Sequence, residues 1–294
     1  MAVPVIETKS SNSSTSGGSL TITAPTSITT GDLLIGSYTS VRPAGSQTAN
    51  VPAGWTLIKS ISTSSTKSTL IAFYKVAVLA DESATDYTFT ATSADYMQGS
   101  ILRVSGAPSG TEITVSEADS LPAVNTDTVI NHTAALTPQT TDSLVVICAG
   151  GIGLSLSAVV TTSAYTSTPT TTWTEQMDLG YRDGASDGSS HAVATAPYTG
   201  STQFTAYGYT TSEAFQEVTS ILFMVNSPQN ATGTTNLLSV SPTMFAPTAS
   251  AGTTGTNTLH AVSPTMFAQS GKGQRGTPWT NPNKPATNWD NLPK

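Results

Sequence analysis

From residue 19 to residue 225 the chain is a series of short β-branched and aromatic runs, separated by clusters of Gly, Pro, Asn and Ser. No stretch sustains apolar residues at the 3.6-residue spacing of a packed helix. Punctuation of this kind predicts an all-β sandwich or jelly roll. Asp86-Tyr87-Thr88-Phe89-Thr90-Ala91-Thr92 shows it most plainly: Tyr87, Phe89 and Ala91 alternate with threonines, as in a strand buried on one face. Further strands are predicted at residues 20–24, 33–38, 55–60, 70–78, 101–104, 144–148, 192–196, 203–209 and 221–225. Composition points the same way. Charged residues make up 10% of the chain, against about 25% in an ordinary globular protein. Thr suits a half-exposed strand, and the long helix formers are scarce. With 294 residues the chain can bury one large β-core or two small ones.

The formal net charge of -7 and the thin spread of 11 Lys plus Arg argue against a nucleic-acid partner, because phosphate binding needs clustered cations. The single cysteine, Cys148, lies in the apolar run Leu144-Val145-Val146-Ile147-Cys148 and reads as a buried strand thiol. Met1-Ala2-Val3-Pro4-Val5 lacks the basic and apolar regions of a signal peptide. The longest apolar stretch, residues 144–154, is broken by glycines and too short to cross a bilayer, so no membrane insertion is expected.

The same order of features occurs twice. Gly31-Asp32-Leu33-Leu34-Ile35 matches Thr141-Asp142-Ser143-Leu144-Val145, and Gly54-Trp55-Thr56 matches Thr172-Trp173-Thr174. The segment from Ala84 through Phe89 to Thr90 answers to Thr199 through Phe204 to Thr205, and Gly99-Ser100-Ile101-Leu102 to Thr219-Ser220-Ile221-Leu222. A duplicated body is therefore expected at 19–228, with halves at about 19–107 and 125–228 and a polar N-terminal arm at 1–18. Ile113, Val115, Leu121 and Val124 lie between the halves, where a free linker would need no apolar residue, so the halves are expected to form one body.

After Val225 the composition turns rich in Thr, Gly, Ala and Pro. Val240-Ser241-Pro242-Thr243-Met244-Phe245-Ala246 recurs residue for residue at Val262-Ser263-Pro264-Thr265-Met266-Phe267-Ala268. A looser W-x-N-x-x-K pattern links Trp279, Asn281 and Lys284 to Trp289, Asn291 and Lys294. Residues 229–294 are read as an extended arm that cannot bury enough surface to fold alone. Its Met244, Phe245, Met266, Phe267, Trp279 and Trp289, with the polar members of the W-x-N-x-x-K pattern, are the expected partner-binding residues.

A search for chemistry yields little. His132, His191 and His260 sit in no hydrolytic context, and no zinc, redox, nucleotide or nucleophile-elbow motif is present. The segment from Asp178 to Gly188, with Asp183 and Asp187, could wrap calcium but lacks the spacing of an EF-hand and reads equally as a strand-connecting loop. Glu175, Asp178, Glu213 and Glu217 cannot be paired as glycosidase carboxylates from sequence. Tyr207 and Tyr209 are read either as an exposed platform for a sugar or protein, or as buried in a second layer. Neither catalysis nor a cofactor is expected.

Val51-Pro52-Ala53-Gly54-Trp55-Thr56-Leu57-Ile58, Ile71-Ala72-Phe73-Tyr74-Lys75-Val76-Ala77, Tyr87-Thr88-Phe89 and Gly99-Ser100-Ile101-Leu102-Arg103-Val104-Ser105-Gly106 resemble a family of β-sandwich proteins of tailed bacteriophages and prophages. The repeated arm modules are similar to short tandem modules of phage tail and virion proteins. This resemblance implies a non-enzymatic virion structural protein, a tail, fibre, neck or capsid-decoration component. It would be assembled in the host cytoplasm, with its own copies and other virion proteins as partners and a host surface glycan as a further one. The alternative is a carbohydrate-binding or host-adhesion sandwich.

Overall fold

The computed structural model describes residues 3–15, 17–63, 65–106, 113–121, 128–153, 161–182, 188–213 and 217–227. These form sixteen strands and a single 3₁₀ turn at Leu79–Ser83, an all-β body. The first eight strands are β1 (Val5–Ser14), β2 (Ser19–Thr23), β3 (Leu33–Val41), β4 (Thr48–Ala49), β5 (Thr56–Ser62), β6 (Ser68–Val76), β7 (Asp86–Thr92) and β8 (Tyr96–Ser105). The next eight are β9 (Ile113–Leu121), β10 (Val129–Leu136), β11 (Ser143–Gly153), β12 (Thr162–Thr168), β13 (Thr174–Arg182), β14 (Gly188–Tyr198), β15 (Phe204–Thr211) and β16 (Glu217–Asn226).

Topology makes the duplication explicit. The first half holds a five-stranded sheet, β1-β8-β3-β6-β5, and a three-stranded sheet, β2-β7-β4. Shifting every number by eight gives β9-β16-β11-β14-β13 and β10-β15-β12, the two sheets of the second half. Trp55 immediately precedes β5 and Trp173 immediately precedes β13, its counterpart. Leu20 pairs with Phe89 in the first small sheet, and Leu136 with Phe204 in the second.

Three sequence expectations need correction. Within the segment expected to be a polar N-terminal arm, Val5–Ser14 forms β1, which pairs with β8 along its length, and Val3 and Ile6 pack on the core. The alternating burial of Val5–Ser14 is that of an edge strand, whose outward positions are polar enough to resemble a linker. Ile113 and Val115 likewise belong to β9, which pairs with β16 and opens the second half. The two repeats are also related by a register different from the one the sequence suggested. Leu33 and Ile35 point into the same core as Leu144 and Val146, so Leu33 corresponds to Leu144 rather than to Ser143. A one-residue slip places each side chain on the opposite face of the sheet.

The large sheets pack face to face. Leu33, Ile35, Leu102 and Val104 meet Leu144, Val146, Cys148, Phe223 and Val225 in one apolar cluster. On its far side the first large sheet packs on its small sheet through Leu20, Ile22, Tyr38, Phe73 and Phe89. The second large sheet does the same through Val145, Ile147, Leu222, Phe204 and Tyr207. The result is four β-layers, small-large-large-small, in which β3, β11 and β16 are buried along their whole length. Their apolar runs Leu33–Ile35, Leu144–Cys148 and Ile221–Val225 follow from cover on both faces, and the alternating pattern of β7 from cover on one.

All four outer strands of the large sheets carry a bulge: β1 near Glu7, β5 near Ile58, β9 opposite Leu222 and β13 near Gln176. The ladders joining β3 to β6 and β8, and β11 to β14 and β16, run without interruption. Tyr38 locks the first sandwich. Its ring stacks on Phe89 at 5.9 Å, its hydroxyl lies 2.8 Å from the carbonyls of Asn50 and Thr90, and it accepts from the Asn50 N–H at 2.8 Å.

Three predictions follow from this packing. Tyr38→Phe removes the hydroxyl bonds to Asn50 and Thr90 and should lower the unfolding free energy by about 0.5–1.5 kcal/mol in urea denaturation. A Cβ added at Gly150 would collide with Thr39 Oγ1 across the seam between the large sheets, so one of the two must shift. Gly150→Ala should therefore cost about 1–3 kcal/mol in wild type, and less in a Thr39→Ala background, a coupling that a double-mutant cycle measures. Residues 1–228 should melt in one cooperative β-type transition. Residues 19–228, lacking β1, should melt at least about 5 °C lower in calorimetry.

Candidate functional site

The arm residues Met244, Phe245, Met266, Phe267, Trp279, Asn281, Lys284, Trp289, Asn291 and Lys294 lie outside the described residues, as do His260, Asp183 and Asp187. Tyr207 and Tyr209 are described, and they form no surface platform: they are 1% and 2% exposed. Register explains this. β15 lies between β10 and β12, and beyond Ala206 its Tyr207 and Tyr209 face the large sheet. Phe204, opposite the bulge in β10, also turns inward, so the tyrosines and Phe204 do not take opposite sides as simple alternation would have them.

Around those tyrosines a buried polar relay ties the second sandwich together. His132 stacks on Tyr207 at 4.9 Å, its Nε2 lies 2.9 Å from Ser220 Oγ, and Ser220 Oγ lies 2.9 Å from Tyr209 Oη. Burial pushes the Tyr209 phenol above its ordinary range, so it stays protonated and able to donate. Asp178 Oδ2 accepts from the Thr162 N–H at 2.9 Å. Burial raises the Asp178 carboxyl, and burial together with Asp178 raises Glu175. This carboxylate is therefore engaged in holding the start of β12. Glu217 is buried and accepts from Ser65 Oγ at 2.6 Å, joining the two halves. No group of three or more His, Cys, Asp and Glu side chains is placed to hold a metal ion among the described residues.

Charged pairs are used in the same way. Arg103 Nε donates to Asp32 Oδ2 at 2.7 Å, and Asp32 also accepts from the Thr29 N–H and hydroxyl. Burial alone would raise the Asp32 carboxyl, but these hydrogen bonds outweigh it and hold it below the usual range. Lys75 and Tyr87 both reach Asp81 Oδ1, and Val78 N–H donates to Oδ2, which pins the 3₁₀ turn between β6 and β7.

The arrangement that the sequence did not reveal is the seam between the large sheets. One end is the apolar cluster already described. The other is polar, with Ser37, Thr39, Gln98 and Ser100 of the first half facing Ser189, His191, Glu217 and Thr219 of the second, all buried. His191 is at the centre of it. Thr39 Oγ1 lies 3.1 Å from its Nδ1, and Ser37 Oγ and Ser100 Oγ lie 3.1 Å and 3.3 Å from its Nε2. Ser189 Oγ donates to Gln98 Oε1 at 3.0 Å beside it. The signal available in the sequence was hydroxyl residues at alternate positions of otherwise apolar strands, Ser37 and Thr39 on β3 and Ser189 and His191 on β14. Cys148 faces the same seam, and burial pushes its thiol up to about 12, with a weaker opposing hydrogen bond from Ser37. Such a thiol is inert at neutral pH.

At the apolar end an open groove of about 270 Å³ is lined by Val3, Val5, Ile6, Leu144, Gln176 and Pro197, among others. Its walls carry no titratable side chain. No helix among the described residues is long and apolar enough to cross a membrane. No family model, no curated protein and no solved structure matches the chain.

One prediction tests the electrostatics. The depressed Asp32 carboxyl contributes stability that is present above the unfolded value near 3.8 and is lost as the pH falls through the lower folded value. Asp32→Asn should destabilise the protein at pH 7, and the difference from wild type should shrink toward pH 2 in denaturant titrations.

Proposed function

We propose that the chain is a non-enzymatic structural protein of a tailed-phage virion, in which the four-layered body is displayed and the C-terminal arm joins it to neighbouring subunits. The observation that carries this reading is the verbatim recurrence of Val240–Ala246 as Val262–Ala268 in a segment that follows β16, the last strand among the described residues. Repeated apolar modules suit repeated pockets on successive or symmetry-related subunits. The body supports it indirectly: the buried Asp32, Asp81, His191 and Glu217 are each engaged in contacts between strands, halves or turns. A glycan-binding role based on Tyr207 and Tyr209 is not supported, because both rings lie within the core.

Trp279 and Trp289 are the principal anchors in this reading. Burying one Trp removes on the order of 150–250 Å² from water, worth roughly 4–6 kcal/mol gross. Ordering an extended arm costs about 1–2 kcal/mol per residue, so backbone pairing and the Met-Phe modules must add to the tryptophans. The double variant Trp279→Ala/Trp289→Ala should leave the thermal transition of the body unchanged while abolishing stable incorporation into particles, measured by sedimentation of assembled material. Normal occupancy of the double variant would overturn the assignment of the arm as anchor.

A further inference from the structure

We propose that the polar end of the seam between the two sandwiches is an acid-responsive joint, at which charging of His191 parts the two large sheets while each sandwich keeps its own outer core. His191 belongs to β14, but the three hydroxyls around its ring, those of Ser37, Thr39 and Ser100, belong to the opposite sandwich. A neutral imidazole donates from one nitrogen and accepts at the other, and hydroxyls can serve both roles. An imidazolium would donate from both, which the hydroxyls could accept by turning; the obstacle is the uncompensated charge. Among the described residues, β11, β13, β8 and β3 pack most closely against β14. Toward the seam β11 offers the neutral Cys148, β13 and β8 offer the paired rings of Tyr181 and Tyr96, and β3 offers only hydroxyls. The carboxylate nearest in kind, Glu217 on β16, is taken by Ser65. No carboxylate among the described residues is bonded to the ring.

The division of the seam confines the opening. Leu33, Ile35, Val104, Leu144, Val146, Phe223 and Val225 hold the apolar end, where acid changes nothing. The outer cores, built on Phe73 and Phe89 in one half and on Phe204 and Tyr207 in the other, share no residue with the polar end. Burial depresses His191 to about 3, from an ordinary 6.5. Above pH 6.5 the ring is neutral whether the joint is closed or open, and acid costs nothing. Below it, the open form takes up the proton and the closed form does not. The ratio of closed to open form therefore falls about tenfold per pH unit until the pH approaches 3.

Cys148, the only cysteine and fully buried, sits where the apolar cluster meets the polar end, within hydrogen-bond reach of Ser37, and reports the opening. The full-length chain is treated with 4,4′-dithiodipyridine, which reacts with thiols in acid, at pH 7 to 4, while far-UV circular dichroism follows the strands. In wild type the labelling rate should rise up to about tenfold per pH unit below 6.5 at constant ellipticity. In His191→Gln it should stay low and flat, and His191→Asn serves the same purpose if the glutamine does not fold. Equal pH dependence in wild type and variant overturns the proposal. So does wild-type labelling that appears only as ellipticity is lost, because the route is then global unfolding.

Discussion

The body depends on the contact between its two five-stranded sheets. Each sheet alone would be an ordinary sandwich half, apolar on the side of its three-stranded partner and open on the other. Putting the open sides together covers Leu33, Ile35, Leu144, Val146 and Phe223 and makes β3, β11 and β16 fully interior. Removal of that apolar surface from water is the dominant favourable term for joining the halves. It also fixes the geometry of the rest: a side chain at Gly150 would collide with Thr39 because the sheets approach closely there, and β1 is held because Val3 and Ile6 cover the rim of the same cluster. The internal repeat thus packs as two copies of one unit would across a self-complementary face.

That face is not uniform, and its two ends have different physics. At the apolar end association is nondirectional and tolerates acid. At the polar end each buried hydroxyl and the imidazole need a partner, and several of those partners come from the other sandwich. Specific pairing of halves is consistent with such directional bonds, since a slipped register would leave them unmet. Buried groups that elsewhere suggest catalysis, a histidine among hydroxyls or a carboxylate beside a serine, are here the means by which two sheets recognise each other.

Much of this was legible in the sequence, and the failures have physical causes. The strands and the duplication could be read because β-branched runs and turn residues are local signals, and because Trp55 and Trp173 mark equivalent strand starts. β1 was missed because an edge strand with polar outward residues has the composition of a linker. The register between repeats was misjudged by one residue because Asp32 and Asp142 look alike, while only the packed sheets reveal which neighbour points inward. Tyr207 and Tyr209 were left between exposure and burial, since alternation says which residues share a face but not which face is covered. The seam around His191 left only alternating hydroxyls as a trace, and which strands meet there was not legible, because they lie more than ninety residues apart in sequence.

The bulges on β1, β5, β9 and β13 have a consequence for crowding. A flat outer strand offers a row of N–H and C=O groups to any neighbour, and at high local concentration sheets can fuse edge to edge into fibres. Here every rim strand of the large sheets is locally kinked and out of step with a straight partner. A straight strand from a neighbour therefore finds no continuous partner along the rims of the large sheets.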